Sequence, residues 1–286
     1  MSVRELPELP RLAPLFAKAV LPSLDRGPAR IADDVALVRG VGQDLARLAD
    51  YDRVCGFGLG EVVPATWLHV LTFPLHIELL SGKGSTIRLM GVVHVSNRMR
   101  LHRPVTVSES LDVSARTANL RPHQRGALLD LVGEVRVRDE LVWDGVSTYL
   151  APGAKVDGPP EQIAREEYTP TRPIASWRLP ADLGRQYRRV SGDPNPIHTS
   201  RLAARAFGFA RPIIHGMWTH ARFLAALAPR LPDAYSVEVG FARPILLPGK
   251  VGAWWRPDDG GWVGAVTDPG GARPHLVARI SPSTGP

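Results

Sequence analysis

The stretch Arg-Val-Cys-Gly-Phe at 53–57 comes back as Arg-Val-Ser-Gly-Asp at 189–193, 136 positions further on. Each copy has a tyrosine two places upstream, Tyr51 and Tyr187. A long-period repeat constrains a fold more than composition does, because the chain must build one plan twice. Two more correspondences follow. HRPVTVSESLDV (102–113) overlays ARPILLPGKVGA (242–253), and Pro74 and Pro212 each open an apolar stretch. Between the copies runs APGAKVDGPPEQIA (151–164), whose Pro and Gly content reads as a linker. The 286 residues therefore divide into an N-terminal half, 1–155, and a C-terminal half, 165–286.

Both halves spell out the same elements. A short β-like run comes first, VALVRG (35–40) or IASWRL (174–179), then a short helical piece ending at the tyrosine. An apolar helix follows. In the second half it is predicted over 212–228, where Ile214, Met217, Trp218, Ala221, Leu224, Ala225 and Ala228 recur at helical spacing. Pro212 suits its first turn and Pro229 its stop. Strands are predicted over 106–116, 127–138 and 140–150, and again over 250–256, 261–268 and 275–281. A helix followed by antiparallel strands is an α+β pattern. Each sheet must curl around the one large apolar partner available. Two such sheets can then pair edge to edge, which hides edge strands.

Composition narrows the function. Hydrophobic residues at 44% and charged residues at 22% suit two globular units, each with its own core. A lone Cys55 excludes an intramolecular disulfide and a multi-cysteine zinc site. The opening MSVRELPELPRLAP has acids and prolines where a signal peptide needs an apolar run, so a cytoplasmic location is expected. No apolar run is long enough to span a membrane. The net charge of +7 comes almost wholly from arginine, with lysine only at Lys18, Lys83, Lys155 and Lys250. The arginines are scattered and no aromatic platform interleaves them, which argues against nucleic acid.

The chemistry gathers in YRRVSGDPNPIH, 187–198. Pro194 and Pro196 fix their own φ and push Asp193 and Asn195 toward extended backbone, so the segment is stiff. A stiff loop can aim Asp193 and His198 at one point, and a carboxylate beside an imidazole is an acid–base pair. The same residue types are also ordinary turn formers, so a plain loop fits the composition too. Ser200 or Thr199 is expected to cap a helix over 200–207. Gly216 lies in the first turn of the apolar helix, where backbone N–H groups lack partners and the dipole is positive. Such an N–H could hold a developing oxyanion. His215 reads as a packing residue, His76 as packing or an oxyanion relic, and His94, His102 and His123 have no acidic or cysteine cluster at ligand spacing, so no metal is expected.

The run Tyr187, Val190, Ser191, Gly192, Asp193, Asn195, Pro196, Ile197 and His198, with Ala204 beyond it, resembles the signature of the R-specific enoyl-CoA hydratases, the hydratase-2 or MaoC-like family. His215-Gly216-Met217 falls where that family keeps its oxyanion glycine. The resemblance implies a tandem (double) hotdog: two antiparallel sheets, each wrapped round a long helix, joined as a pseudo-dimer. It implies a hydro-lyase that reversibly adds water, syn, to trans-2-enoyl thioesters, giving (R)-3-hydroxyacyl thioesters. Asp193 and His198 would activate the water, Gly216 would hold the thioester oxygen, and Asn195 would orient the loop or the water. Neither cofactor nor metal is implied. Partners would be acyl-CoA or acyl-carrier-protein thioesters and a second copy in a homodimer. At the same offset the first half has Phe57, Leu59 and Val62 for Asp193, Asn195 and His198, so it would be the degenerate half and wall an acyl tunnel. A thioesterase and a non-catalytic acyl-thioester binder are the competing readings.

Overall fold

The repeated Tyr-x-Arg-Val-small-Gly motif is a helix ending. In the computed structural model, which describes residues 2–19, 27–163 and 167–283, helix α2 (Leu45–Cys55) stops at Gly56 and α4 (Leu183–Ser191) stops at Gly192. Both glycines are left-handed, with φ of 84° and 78°. The Gly56 N–H donates to Asp52 O and the Gly192 N–H to Arg188 O. Glycine is favoured there because a Cβ strains this conformation. The repeat also marks where the halves meet. Tyr51 and Tyr187 are both buried, with ring centroids 6.2 Å apart.

Each half places a central helix against antiparallel strands. The first has α3 (Ala65–Ser81) with β2 (Val35–Val41), β3 (Val93–Leu101), β4 (Leu111–His123), β5 (Gly126–Val137) and β6 (Glu140–Pro152). The second has α6 (Gly216–Leu227) with β7 (Ala175–Leu179), β8 (Tyr235–Phe241), β9 (Gly249–Asp258), β10 (Gly261–Thr267) and β11 (Pro274–Pro282). Helix α3 is apolar on all sides and almost wholly buried, as a helix enclosed by a sheet must be. Two shorter helices complete the elements, α1 (Leu12–Ala19), which packs on α3, and α5 (Arg201–Ala206).

The two sheets are continuous. β3 pairs antiparallel with β8, from Ser96 opposite Gly240 to Leu101 opposite Tyr235, making one sheet of eleven strands among the described residues. The edge-to-edge joint is thus as expected, although the two strands that form it are absent from the sequence reading. β1 (Val3–Glu5) adds one parallel edge strand beside β2, which the antiparallel expectation lacks. One apolar core runs across the joint, holding Trp67, Leu68 and Met99 with Trp218, Phe223 and Val237. No helix among the described residues is long and apolar enough to cross a membrane. Ala164, the expected boundary at 165 and the residues 284–286 lie outside the described residues.

Three expectations need correction. Helix α6 begins at Gly216, not at Pro212. Pro212–Ile214 is extended and hydrogen-bonds to the chain before β9, with Ile214 N–H to Ile245 O and Leu247 N–H to Pro212 O. The short helices do not end at Tyr51 and Tyr187 but run on to Cys55 and Ser191. Val62 is not the counterpart of His198. Val62 bridges Thr106 as Ile213 bridges Leu246, so Val62 stands for Ile213. The second half runs from Asp193 to His215 between its left-handed glycine and its central helix, where the first runs only from Phe57 to Pro64. The first half has no equivalent of the segment that carries His198, and Leu59 and Val62 are exposed.

Candidate active site

Gly192 turns the chain out of α4, and two side-chain hydrogen bonds then shape the loop. Asp193 Oδ1 accepts the Asn195 N–H at 2.9 Å, and Asn195 Oδ1 accepts the Ile197 N–H at 3.3 Å. Asn195 thereby caps the single 3₁₀ turn Pro196–His198. Ser200, one of the two expected caps, takes that role for α5 through the Ala203 N–H. Gly184 in α4 lets the loop lie close, because a Cβ there would stand 2.1 Å from the His198 carbonyl oxygen.

The loop is tied to the approach of α6. The Ile213 N–H donates to Ile197 O, and His198 Nδ1 lies 2.8 Å from Ile213 O. A carbonyl only accepts, so Nδ1 carries the proton and Nε2 keeps a lone pair. Asp193, His198 and His215 bring their polar atoms within 4.8 Å of one another. His215 stacks on His198 with centroids 3.6 Å apart, and its Nε2 is 3.8 Å from Asp193 Oδ2, too long for a hydrogen bond.

Burial sets the charges. It raises the Asp193 carboxyl above its usual range, against the opposing pull of His198, the Asn195 N–H and Arg188. It lowers His198, although Asp193 and the Ile213 carbonyl partly offset this. His215 is held well below its usual value by burial, then by His198 and Arg188. All three shifts favour neutral groups that exchange protons easily, rather than a fixed ion pair.

A cavity of about 510 Å³ opens from this cluster. Asp193, Asn195, His198 and Gly216 all line it, so the four residues singled out in the sequence face one space. Gly216 is the first residue of α6, and a Cβ on it would meet the Phe241 ring at 3.0 Å. The first half supplies the opposite wall, with His69, Val70, Phe73, Ile77 and Leu80 of α3 and Tyr149 of β6. Burial, and then the Asp193 charge, raise the Tyr149 hydroxyl above its usual range.

Sequence reasoning missed His215, Tyr149 and Phe241. His215 was set aside as packing. The missed signal was that it directly precedes Gly216 and so shares its place at the helix start. Nothing local in the sequence marks Tyr149, which reaches the loop only through the joint between the halves.

The family model for the MaoC like domain matches residues 154–253. The chain is 36% identical over 265 residues to 3-hydroxyacyl-thioester dehydratase X of Mycobacterium tuberculosis, covering 92% of this chain and 93% of that protein. The crystal structure of that organism's HtdX superposes with a TM-score of 0.78 at 35% identity, over 87% of this chain and 100% of that one. A second protein of M. tuberculosis, described as a double hotdog fold, matches at TM-score 0.53 and 14% identity over 90% of this chain and 96% of its own, a likeness of fold alone. Identity sustained across both halves, together with a matching tandem architecture, shows that the chain belongs to the family of MaoC-like dehydratases in its double-hotdog form.

Proposed function

We propose that the chain interconverts trans-2-enoyl thioesters and (R)-3-hydroxyacyl thioesters by adding or removing water. The observation that carries this is the shared cavity, in which Asp193 and His198 stand beside the start of α6 while apolar side chains of α3 line the far wall. The names of the M. tuberculosis dehydratase and of an (R)-specific enoyl-CoA hydratase from Aeromonas caviae agree with it.

In the hydration direction a water sits between Asp193 and the bare Nε2 of His198. Its oxygen bonds to Cβ as the pair takes one of its protons. The electrons of the Cα–Cβ double bond move onto the thioester oxygen, and the Gly216 N–H and the α6 dipole hold the resulting enolate. The pair then returns one proton to Cα. Both additions come from one face, because the acid and base are neighbours. Asn195 keeps the loop in shape. Residues 165–286 thus carry the reaction, and residues 1–155 act as the degenerate half that walls the chain. The substrate carrier is coenzyme A or acyl carrier protein, in the cytoplasm. The outer strands β1 and β7 each leave an open edge on which a homodimer would form.

The test follows the conjugated enoyl thioester by absorbance. Loss of the chromophore without free thiol supports hydration. Free thiol would mean a thioesterase, and no change would mean a binder.

Three variants probe the walls. Gly216→Ala keeps the N–H but presses its methyl on Phe241, so kcat should fall about tenfold or more while the fold persists. Unchanged kcat would remove the oxyanion role from this residue. Val70→Phe should shorten the preferred acyl chain and Phe73→Ala should lengthen it, since each buried methylene is worth about 0.8 kcal/mol. Identical chain-length profiles in wild type and both variants would leave α3 a structural partner only.

A further inference from the structure

The acyl cavity is not apolar throughout. Four histidines meet where the two central helices and the joining strand come together: His69 and His76 of α3, His94 of β3 and His220 of α6. His69 and His94 line the cavity, while His76 and His220 do not. The rings form a chain of contacts. Tyr149 stacks on His94 at 4.3 Å, His94 faces His69 at 6.2 Å, and His69 meets His76 at 5.9 Å. His94 also packs on Phe241 at 4.9 Å, and Phe241 is the ring that covers Gly216. The cluster therefore begins next to the reaction centre.

Five of the eight ring nitrogens in this cluster lack a protein partner among the described residues. Both ring nitrogens of His76 and of His220, and Nε2 of His94, are buried with no hydrogen-bond partner among the described residues. A phenylalanine or leucine would fill this space without that cost, since an unpaired buried donor or acceptor raises the energy of the folded state. A neutral imidazole offers one donor and one acceptor, so the set can pair with a hydroxyl or a carbonyl oxygen. A plain alkyl chain laid against the cavity wall would leave His94 Nε2 desolvated and unpaired.

We propose that this cluster is a polar subsite for an oxygen function on the acyl chain beyond Cβ, a hydroxyl or a keto group. The preferred substrates are then oxygenated acyl thioesters rather than plain saturated chains. This rests on the hydratase reading for the placement of the thioester at Gly216. His69 and His94 make the direct contacts, and His76 packs within ring contact of His69.

The test is a binding measurement that needs no turnover. Saturated octanoyl-CoA is compared by calorimetry with octanoyl-CoA bearing a hydroxyl or a keto oxygen at successive carbons beyond Cβ. An oxygen at one or two adjacent positions should tighten binding roughly tenfold over the plain chain, the worth of a well-made hydrogen bond that also relieves an unpaired group. Equal or tighter binding of the plain chain against every oxygenated ligand would overturn the subsite. His94→Phe and His69→Leu should bring the ratio toward one, and an undiminished ratio in both variants would also overturn it. Hydration of crotonyl-CoA by the wild-type protein reads the catalytic assignment separately, so either result stands without the other.

Discussion

Asp193→Asn and His198→Ala are each expected to lower kcat by about 10²–10⁴-fold, the range general acid–base groups supply. The loss should fall on kcat more than on KM, because the thioester is held at Gly216 and by the α3 wall. The geometry explains why neither residue can replace the other. The proton on His198 Nδ1 is committed to Ile213 O, which leaves one lone pair to act. Asp193 Oδ1 is committed to the Asn195 N–H, which leaves Oδ2. Removing either should also leave the double variant little worse than the single ones, as for groups that work as a unit. Asp193→Asn should melt near the wild-type temperature, while His198→Ala should lose about 1–3 kcal/mol with its bond to Ile213 O. Near-full activity of either one would remove it from the chemistry.

Acid should unfold this protein early. Six histidines, four buried and His94 and His198 half-buried, have their imidazolium forms disfavoured: His69 lowered to about 4, His76 and His220 to about 3, and His94, His198 and His215 lowered as well, with desolvation the leading cause each time. An unfolded histidine titrates near 6.5. Below that pH the unfolded chain takes up protons that the folded chain refuses. Stability is therefore fully present above about pH 6.5 and is lost as pH falls toward the folded values, by up to about 1.4 kcal/mol per pH unit per histidine. Asp193, and Asp52 raised to about 6, act in the opposite sense, because their folded forms bind the proton more readily. Six groups against two leave a net loss of several kcal/mol per pH unit, large beside a typical total of about 5–15 kcal/mol. Circular dichroism should show cooperative unfolding that starts near pH 6 and is complete by about pH 4. His220→Phe should make the pH dependence shallower. A melting temperature unchanged between about pH 7 and pH 5 would contradict the neutral-histidine core.

Much of this was legible in the residues. The repeat marks a turn shared by both halves, though the helices run past the tyrosines to Cys55 and Ser191. β5 and β6 follow from their hydrophobic patterns, while β4 lies further along than 106–116. The loop chemistry was legible because Pro194 and Pro196 leave Asp193 and His198 little freedom. β3 and β8 were missed although both alternate cleanly. Val95, Asn97, Met99 and Leu101 are buried with Arg98 and Arg100 outward, and Tyr235, Val237 and Val239 are buried in β8. Their arginines and a glutamate make them look like surface connections, while the pairing that stabilises them is between the halves. The start of α6 was placed early because an extended proline segment and a helical first turn share the same φ. The histidine cluster could not be read at all. His69 and His76 look like packing in one helix, and only the joint between α3, β3 and α6 brings His94 and His220 to them.

The central claim is that one neighbouring acid–base pair delivers both parts of water to one face of the double bond. Hydration of crotonyl-CoA in D₂O, followed by NMR of the product, reads this directly. The neighbouring pair predicts a single deuterium at Cα, syn to the new hydroxyl, and the family reading adds that the product is (R)-3-hydroxybutyryl-CoA with the thioester intact. An anti relationship, the S alcohol, or free acid with released thiol would contradict it.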